Sequence, residues 1–199
     1  MRWSSDGAFD RALGIDTSLT DKSWAHRRQS PCQPTPLAAL EAVAQRLGTE
    51  DCVVDYGCGT GRAVFCLAAA AGCRAIGVEL DPRRYAQAAE NLARCRRRAP
   101  EVAGRIRLVN GAAQDFVPGE EVTAFYCFNP FPAAVLRGAL RQIEAHCRRK
   151  VRMFCYYPDD GWLALLAESG WRPAGTIDLR GALGRDERER VDVFEWGET

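Results

Sequence analysis

The chain has almost no lysine, only Lys22 and Lys150, and its other basic residues are all arginine. That bias reads as the codon usage of a GC-rich genome. His26 and His146 are the only histidines, and no Ser-His-Asp set, paired catalytic carboxylates or G-x-x-x-x-G-K phosphate loop is present. Net charge is close to neutral at +1, so no bulk electrostatic pull on nucleic acid or an anionic membrane is expected. The basic runs RCRRR (94–98) and RRK (148–150) fall at expected helix ends, where they suit the helix dipole and face water. No apolar run reaches transmembrane length, and the opening MRWSSDGAFD lacks an apolar signal region. A cytoplasmic protein with neither a membrane nor a nucleic-acid partner is the expectation. Nine cysteines are scattered without one C-x-x-C pair. They read as buried reduced thiols, with no disulfide framework and no metal site.

What is present is alternation. Residues 1–34 read as an irregular segment containing Trp3, Trp24, His26 and SPCQPTP, and PLAALEAVAQRLG then has helical spacing with a stop at Gly48. From Asp51 onward, strand and helix patterns follow one another. CVVDYG, RAIGVEL, RIRLVNG, VTAFYCF and VRMFCYY read as strands, with helical stretches after most of them. WRPAGTIDLRG and RVDVFEWG read as a closing hairpin joined by GRDERER. This order predicts an α/β, doubly wound, Rossmann-like sheet, mostly parallel, forming one domain over residues 35–199. The segment 1–34, with Trp24, Gln33 and Thr35 at or beside its end, is the expected lid.

The strongest motif is VVDYGCGTGRA, Val53 to Ala63. A buried strand ends in Asp55, Gly57, Gly59 and Gly61 follow, and a helix begins. Glycines there permit a tight turn and a close approach to a ligand, and the helix start offers free N–H groups. The next strand ends in Glu79, an acid placed to hydrogen-bond a ribose diol. Asp55 would repel a pyrophosphate but attract an α-ammonium group, which favours S-adenosylmethionine over a nicotinamide dinucleotide.

On DYGCGTGR and GVELDP the chain resembles the class I S-adenosylmethionine-dependent methyltransferases, from about Asp51 to the C-terminus. The resemblance implies that Asp55, Gly57, Cys58, Gly59 and Gly61 line the methionine and ribose end, with Glu79 and Leu80 at the ribose and adenine. It also implies an antiparallel last strand. Family members often carry an acid after the third strand, where this chain has Ala112. Adenine recognition then falls to Ala112, Ala113, Gln114 or Asp115. The P-T-P segment before the glycine motif resembles small bacterial members of the group.

FNPFP, Phe128 to Pro132, ends the fourth strand. It resembles the D/N-P-P-F/Y string of amino-group methylases, which implies that Asn129 holds a target amine; the other reading is a helix cap. Tyr156 and Tyr157 end the fifth strand, and strand alternation sends one of them to the pocket, where an aromatic face attracts a sulfonium. Three functions fit. The first is methyl transfer to a nitrogen or oxygen of a small molecule. The second is cyclisation of S-adenosylmethionine itself to azetidine-2-carboxylate, as in the synthases that share this fold. The third is a non-catalytic binding module or a protein lysine methylase.

Overall fold

The computed structural model describes residues 3–20, 33–129 and 131–197. Its centre is a seven-stranded sheet. The strands are β1 (Cys52–Tyr56), β2 (Arg74–Glu79), β3 (Ile106–Asn110), β4 (Ala124–Cys127), β5 (Val151–Tyr156), β6 (Arg172–Asp178) and β7 (Arg190–Trp196), in the spatial order β3-β2-β1-β4-β5-β7-β6. β1 to β5 run parallel, and β7 pairs antiparallel with both β5 and β6. The expected sheet and closing hairpin are therefore both present.

Period-two alternation divides the central strands between two cores. Val53, Ala124, Tyr126, Phe154 and Tyr156 pack on one face. Val54, Tyr56, Phe125, Cys127, Met153 and Cys155 pack on the other. Because both faces are covered, these strands read as unbroken apolar runs. Helices α1 (Asp6–Leu13), α2 (Leu37–Ala44) and α3 (Arg62–Ala70) contribute to the first core, as does α4 (Pro82–Arg98), with the single turn α5 (Pro100–Ala103) behind it. Helices α6 (Ala133–His146) and α7 (Asp160–Glu168) contribute to the second. A short helix, α8 (Arg180–Leu183), interrupts the closing hairpin. Eight described cysteines are buried and free. No helix among the described residues is long and apolar enough to cross a membrane.

The N-terminal segment differs from the expectation of irregular chain. Ser5 caps α1 by accepting from the Ala8 N–H, and Gly14 ends it in a left-handed conformation at φ 70°. Phe9, Leu13 and Ile15 are buried in the first core. Arg62, the first residue of α3, is buried and donates through Nε to Thr17 Oγ1 at 2.8 Å and through Nη2 to the Thr17 carbonyl at 3.2 Å. It also pairs with Asp6. The segment thus packs beneath the start of the glycine loop's helix. Trp24 and His26 lie outside the described residues.

One glycine ties the sheet to that loop. A Cβ on Gly77, in β2, would lie 2.8 Å from Cys58 Sγ, 2.9 Å from Leu108 Cδ2 and 3.0 Å from Val64 Cγ2. The missing side chain is the seat of Cys58. Gly77→Ala is expected to cost about 1–3 kcal/mol in urea denaturation through overpacking. Gly48→Ala, which meets nothing within 4 Å, should change stability by less than about 0.5 kcal/mol. Equal losses would refute this packing account.

Candidate active site

The carboxyl ends of the parallel strands open on a cavity of about 690 Å³, within the range of small-molecule sites. It straddles the junction of β1 and β4. From there the chain order runs outward in both directions, to β2 and β3 on one side and to β5 on the other. Such switch points are where open α/β sheets bind ligands.

The half over β1, β2 and β3 is built by the glycine loop. Gly57 and Gly59 have φ of 76° and 56° and line the cavity with Cys58. The N–H groups of Gly57 and Cys58 donate to the Val78 carbonyl at 2.9 and 3.1 Å, fastening the loop to the end of β2. Gly61, at φ 97°, does not line the cavity. It is the left-handed N-cap of α3, where a Cβ would meet Phe65 Cε2 at 2.8 Å. Its role is to let the helix start against Phe65.

Glu79 is only 4% exposed. Its Oε2 accepts from the Gly59 N–H and its Oε1 from the Asp81 N–H, both at 2.8 Å. Burial raises its pKa above the usual carboxylate range, and those two amides oppose the rise. Leu80 beside it is half exposed on the cavity rim. Ala112, Ala113 and Gln114 line the same end, whereas Asp115 closes a 3₁₀ turn and is absent from the wall. Of the four residues left open by the sequence, Ala112, Ala113 and Gln114 are on the wall and Asp115 is not.

Asp55 lines the cavity and has no hydrogen bond or ion pair among the described residues. Burial first, then the charge of Glu79, pushes its carboxyl up to about 8. Among the described residues no cation pairs with it, and burial favours its neutral form.

The other half rises from β4, β5 and the start of β7. Asn129 (φ 40°) and Tyr157 (φ 51°) are the only non-glycine residues with positive φ among the described residues, and both line the cavity. Such conformations cost about 1–3 kcal/mol each and concentrate at functional sites. Pro132, not Asn129, occupies the N-cap of α6, so the capping reading of Asn129 is set aside. The positive φ of Tyr157 breaks strand alternation, so Tyr156 and Tyr157 both reach the cavity, against the expectation of one. Phe128 joins them, its ring 4.7 Å from that of Tyr156 and 6.4 Å from that of Tyr157. Tyr126 donates to Thr35 Oγ1 at 3.2 Å, which brings the segment before α2 onto the wall beside Gln33.

Sequence reasoning missed Arg62, Tyr126, Phe128 and Glu189 as wall residues. Alternation from Phe128 back along β4 pointed to Tyr126. Nothing local marked Glu189, which arrives through the hairpin pairing.

Residues 53–150 match a family model described as a methyltransferase domain. A search of curated proteins gives no match. Among solved structures, an RNA methyltransferase from Salinibacter ruber in complex with S-adenosyl-L-homocysteine is similar at 22% identity and TM-score 0.60, over 84% of this chain and 95% of that one. The glycopeptide N-methyltransferase MtfA complexed with sinefungin is similar at 16% identity and TM-score 0.67, over 97% of each chain. A geranyl diphosphate C-methyltransferase from Streptomyces coelicolor A3(2) is similar at 13% identity and TM-score 0.56, over 81% of this chain and 79% of that one. These likenesses carry the fold, and the family model adds the segment that contains the glycine loop and Glu79. Residues 53–150 are therefore a methyltransferase domain, and the chain has the Rossmann-like fold of the S-adenosylmethionine-dependent methyltransferases it resembles.

Proposed function

We propose that the enzyme transfers a methyl group from S-adenosylmethionine to a nitrogen, rather than an oxygen, of a small molecule. The observation that carries this reading is Asn129, held at φ 40° at the carboxyl end of β4 on the cavity wall and not used as the cap of α6. A strained amide at that point is suited to accepting a hydrogen bond from a target amine.

The residues fit the donor. The left-handed glycines leave room for a close backbone approach, Glu79 is oriented by two amides, and Leu80 offers an exposed apolar face beside Ala112 and Ala113. Asp55 supplies a counter-charge for an α-ammonium group. When bound, S-adenosylmethionine supplies an electrophilic methyl carbon on a sulfonium. Asn129 orients the acceptor nitrogen through its side-chain carbonyl. Phe128, Tyr156 and Tyr157 keep water from that end and present ring faces to positive charge. The rate gain is alignment and desolvation.

A second reading uses Asp55 differently. A carboxyl pushed up to about 8 is matched to an α-amino group, whose ordinary value is about 8. Once ionised beside the donor's ammonium group, its carboxylate can take a proton from that amine, which would allow cyclisation to azetidine-2-carboxylate.

Mass spectrometry separates the two. With an added amine, S-adenosylhomocysteine and a methylated amine are expected, and with S-adenosylmethionine alone no turnover. Methylthioadenosine and a cyclic amino acid from the donor alone would refute methyl transfer. Asn129→Ala should lower kcat on the order of 10²-fold with donor affinity unchanged; full activity in that variant would remove Asn129 from the mechanism.

Asp55 gives a separate expectation. Its raised pKa means that stability from its neutral form is complete at low pH and is lost as pH rises through about 8. A cation placed beside it favours ionisation, so binding below that pH releases a proton. Calorimetry at pH 7 in buffers of different ionisation enthalpy should show this release in the wild type and not in Asp55→Asn. Identical behaviour in both would mean that Asp55 does not meet the ammonium group.

A further inference from the structure

The acceptor half contains a carboxylate that the mechanism above does not use. Glu189 precedes β7 and lines the cavity. Its backbone is fixed on both sides: its N–H donates to the Asp186 carbonyl at 3.0 Å, and its carbonyl accepts from the Leu179 N–H at 2.9 Å. Its Oε2 accepts from the Tyr156 hydroxyl at 2.7 Å, and Oε1 has no partner among the described residues.

The neighbouring acids are satisfied in another way. Asp178 pairs with Arg180, Asp186 with Arg188 and Asp192 with Arg190. Glu189 makes no ion pair among the described residues. Arg188 is occupied by Asp186 and stacks 4.5 Å over the Tyr157 ring. Burial, then the bond to Glu189, raises the Tyr156 hydroxyl, so it remains the donor in that bond. The rings of Phe128, Tyr156 and Tyr157 stand around this corner, with centroids 4.7 Å apart for the first two and 6.1 Å for the last two. Ring faces and a carboxylate that has no ion pair among the described residues together select a cation. A neutral occupant would leave that charge desolvated without compensation.

We propose that this corner binds the acceptor as an ammonium ion, with Glu189 as its counter-charge and first proton recipient. The proposal rests on the methyl-transfer reading and narrows its substrate class to protonated primary or secondary amines. For a primary amine, R–NH₃⁺ gives one proton to Glu189 Oε1, which frees the nitrogen lone pair. That pair forms the new N–CH₃ bond as the C–S bond breaks, and the C–S electrons stay on sulfur, leaving a neutral thioether. The product departs as R–NH₂⁺–CH₃, and Glu189 passes its proton to solvent.

The test is calorimetry on the full chain saturated with S-adenosylhomocysteine at pH 7, titrated with benzylammonium and with benzyl alcohol, a neutral probe of similar shape. The wild type should bind benzylammonium at least about tenfold more tightly. Glu189→Gln, which keeps an acceptor oxygen for Tyr156, should lose that preference while holding S-adenosylhomocysteine as before. Glu189→Asp should retain a reduced preference, which covers the case of a Gln variant that does not fold. Equal binding of the two probes by the wild type, or an intact preference in Glu189→Gln, overturns the proposal. Wild-type protein that fails to bind S-adenosylhomocysteine would instead overturn the methyl-transfer reading.

Discussion

The cavity exists because β1 and β4 lie side by side while the helices that follow them leave to opposite faces. Residues of α3 pack into the first core and residues of α6 into the second. Two chains of connection therefore diverge from one seam, and among the described residues the carboxyl ends there open on the cavity. Both cores are needed to hold the seam. Val53 faces one and Val54 the other, with Ala124 and Phe125 repeating the division in the next strand. Weakening either core would let one of the two loops above the seam shift relative to the other.

The polar contacts near the seam are buried and specific. Glu79 ties the glycine loop to the start of α4 through two amides. Asn91, from α4, donates to the Thr60 carbonyl at 3.1 Å and to the Asp16 carbonyl at 2.7 Å. Arg62 adds its bonds to Thr17. Buried polar groups of this kind cost stability when one partner is removed. The arrangement fixes the loop before any ligand arrives, so that little ordering remains to oppose binding.

Much of this was legible in the sequence. Strands covered on both faces have to be apolar throughout, and CVVDY and AFYC are. The loop was legible because left-handed turns at Gly57 and Gly59 favour glycine, and Glu79 because it ends the adjoining strand. The failures have physical causes. Helix α1 carried its signals, Ser5 and Gly14, but eight residues give a weak periodicity and its stability comes from packing on the first core. Gly61 belongs to the motif yet serves helix packing. The two tyrosines defeated the alternation rule because Tyr157 leaves the strand conformation. Glu189 was invisible because only the register of β7 against β5 and β6 brings it to the cavity.

The family segment holds one half of the cavity and shares the other, because Tyr126, Phe128 and Asn129 also lie inside it. Asp55, the glycine loop, Glu79 and Ala112 to Gln114 all fall within residues 53–150, the segment that matches the family. Tyr156, Tyr157 and Glu189 fall beyond it. On the proposed function, the family segment supplies the residues that meet the donor together with Asn129. The part that would choose a partner for the methyl group is written mostly in the closing strands and their hairpin. Under that proposal, a change of acceptor can proceed largely through the last fifty residues, with Asn129 and the donor-side residues kept.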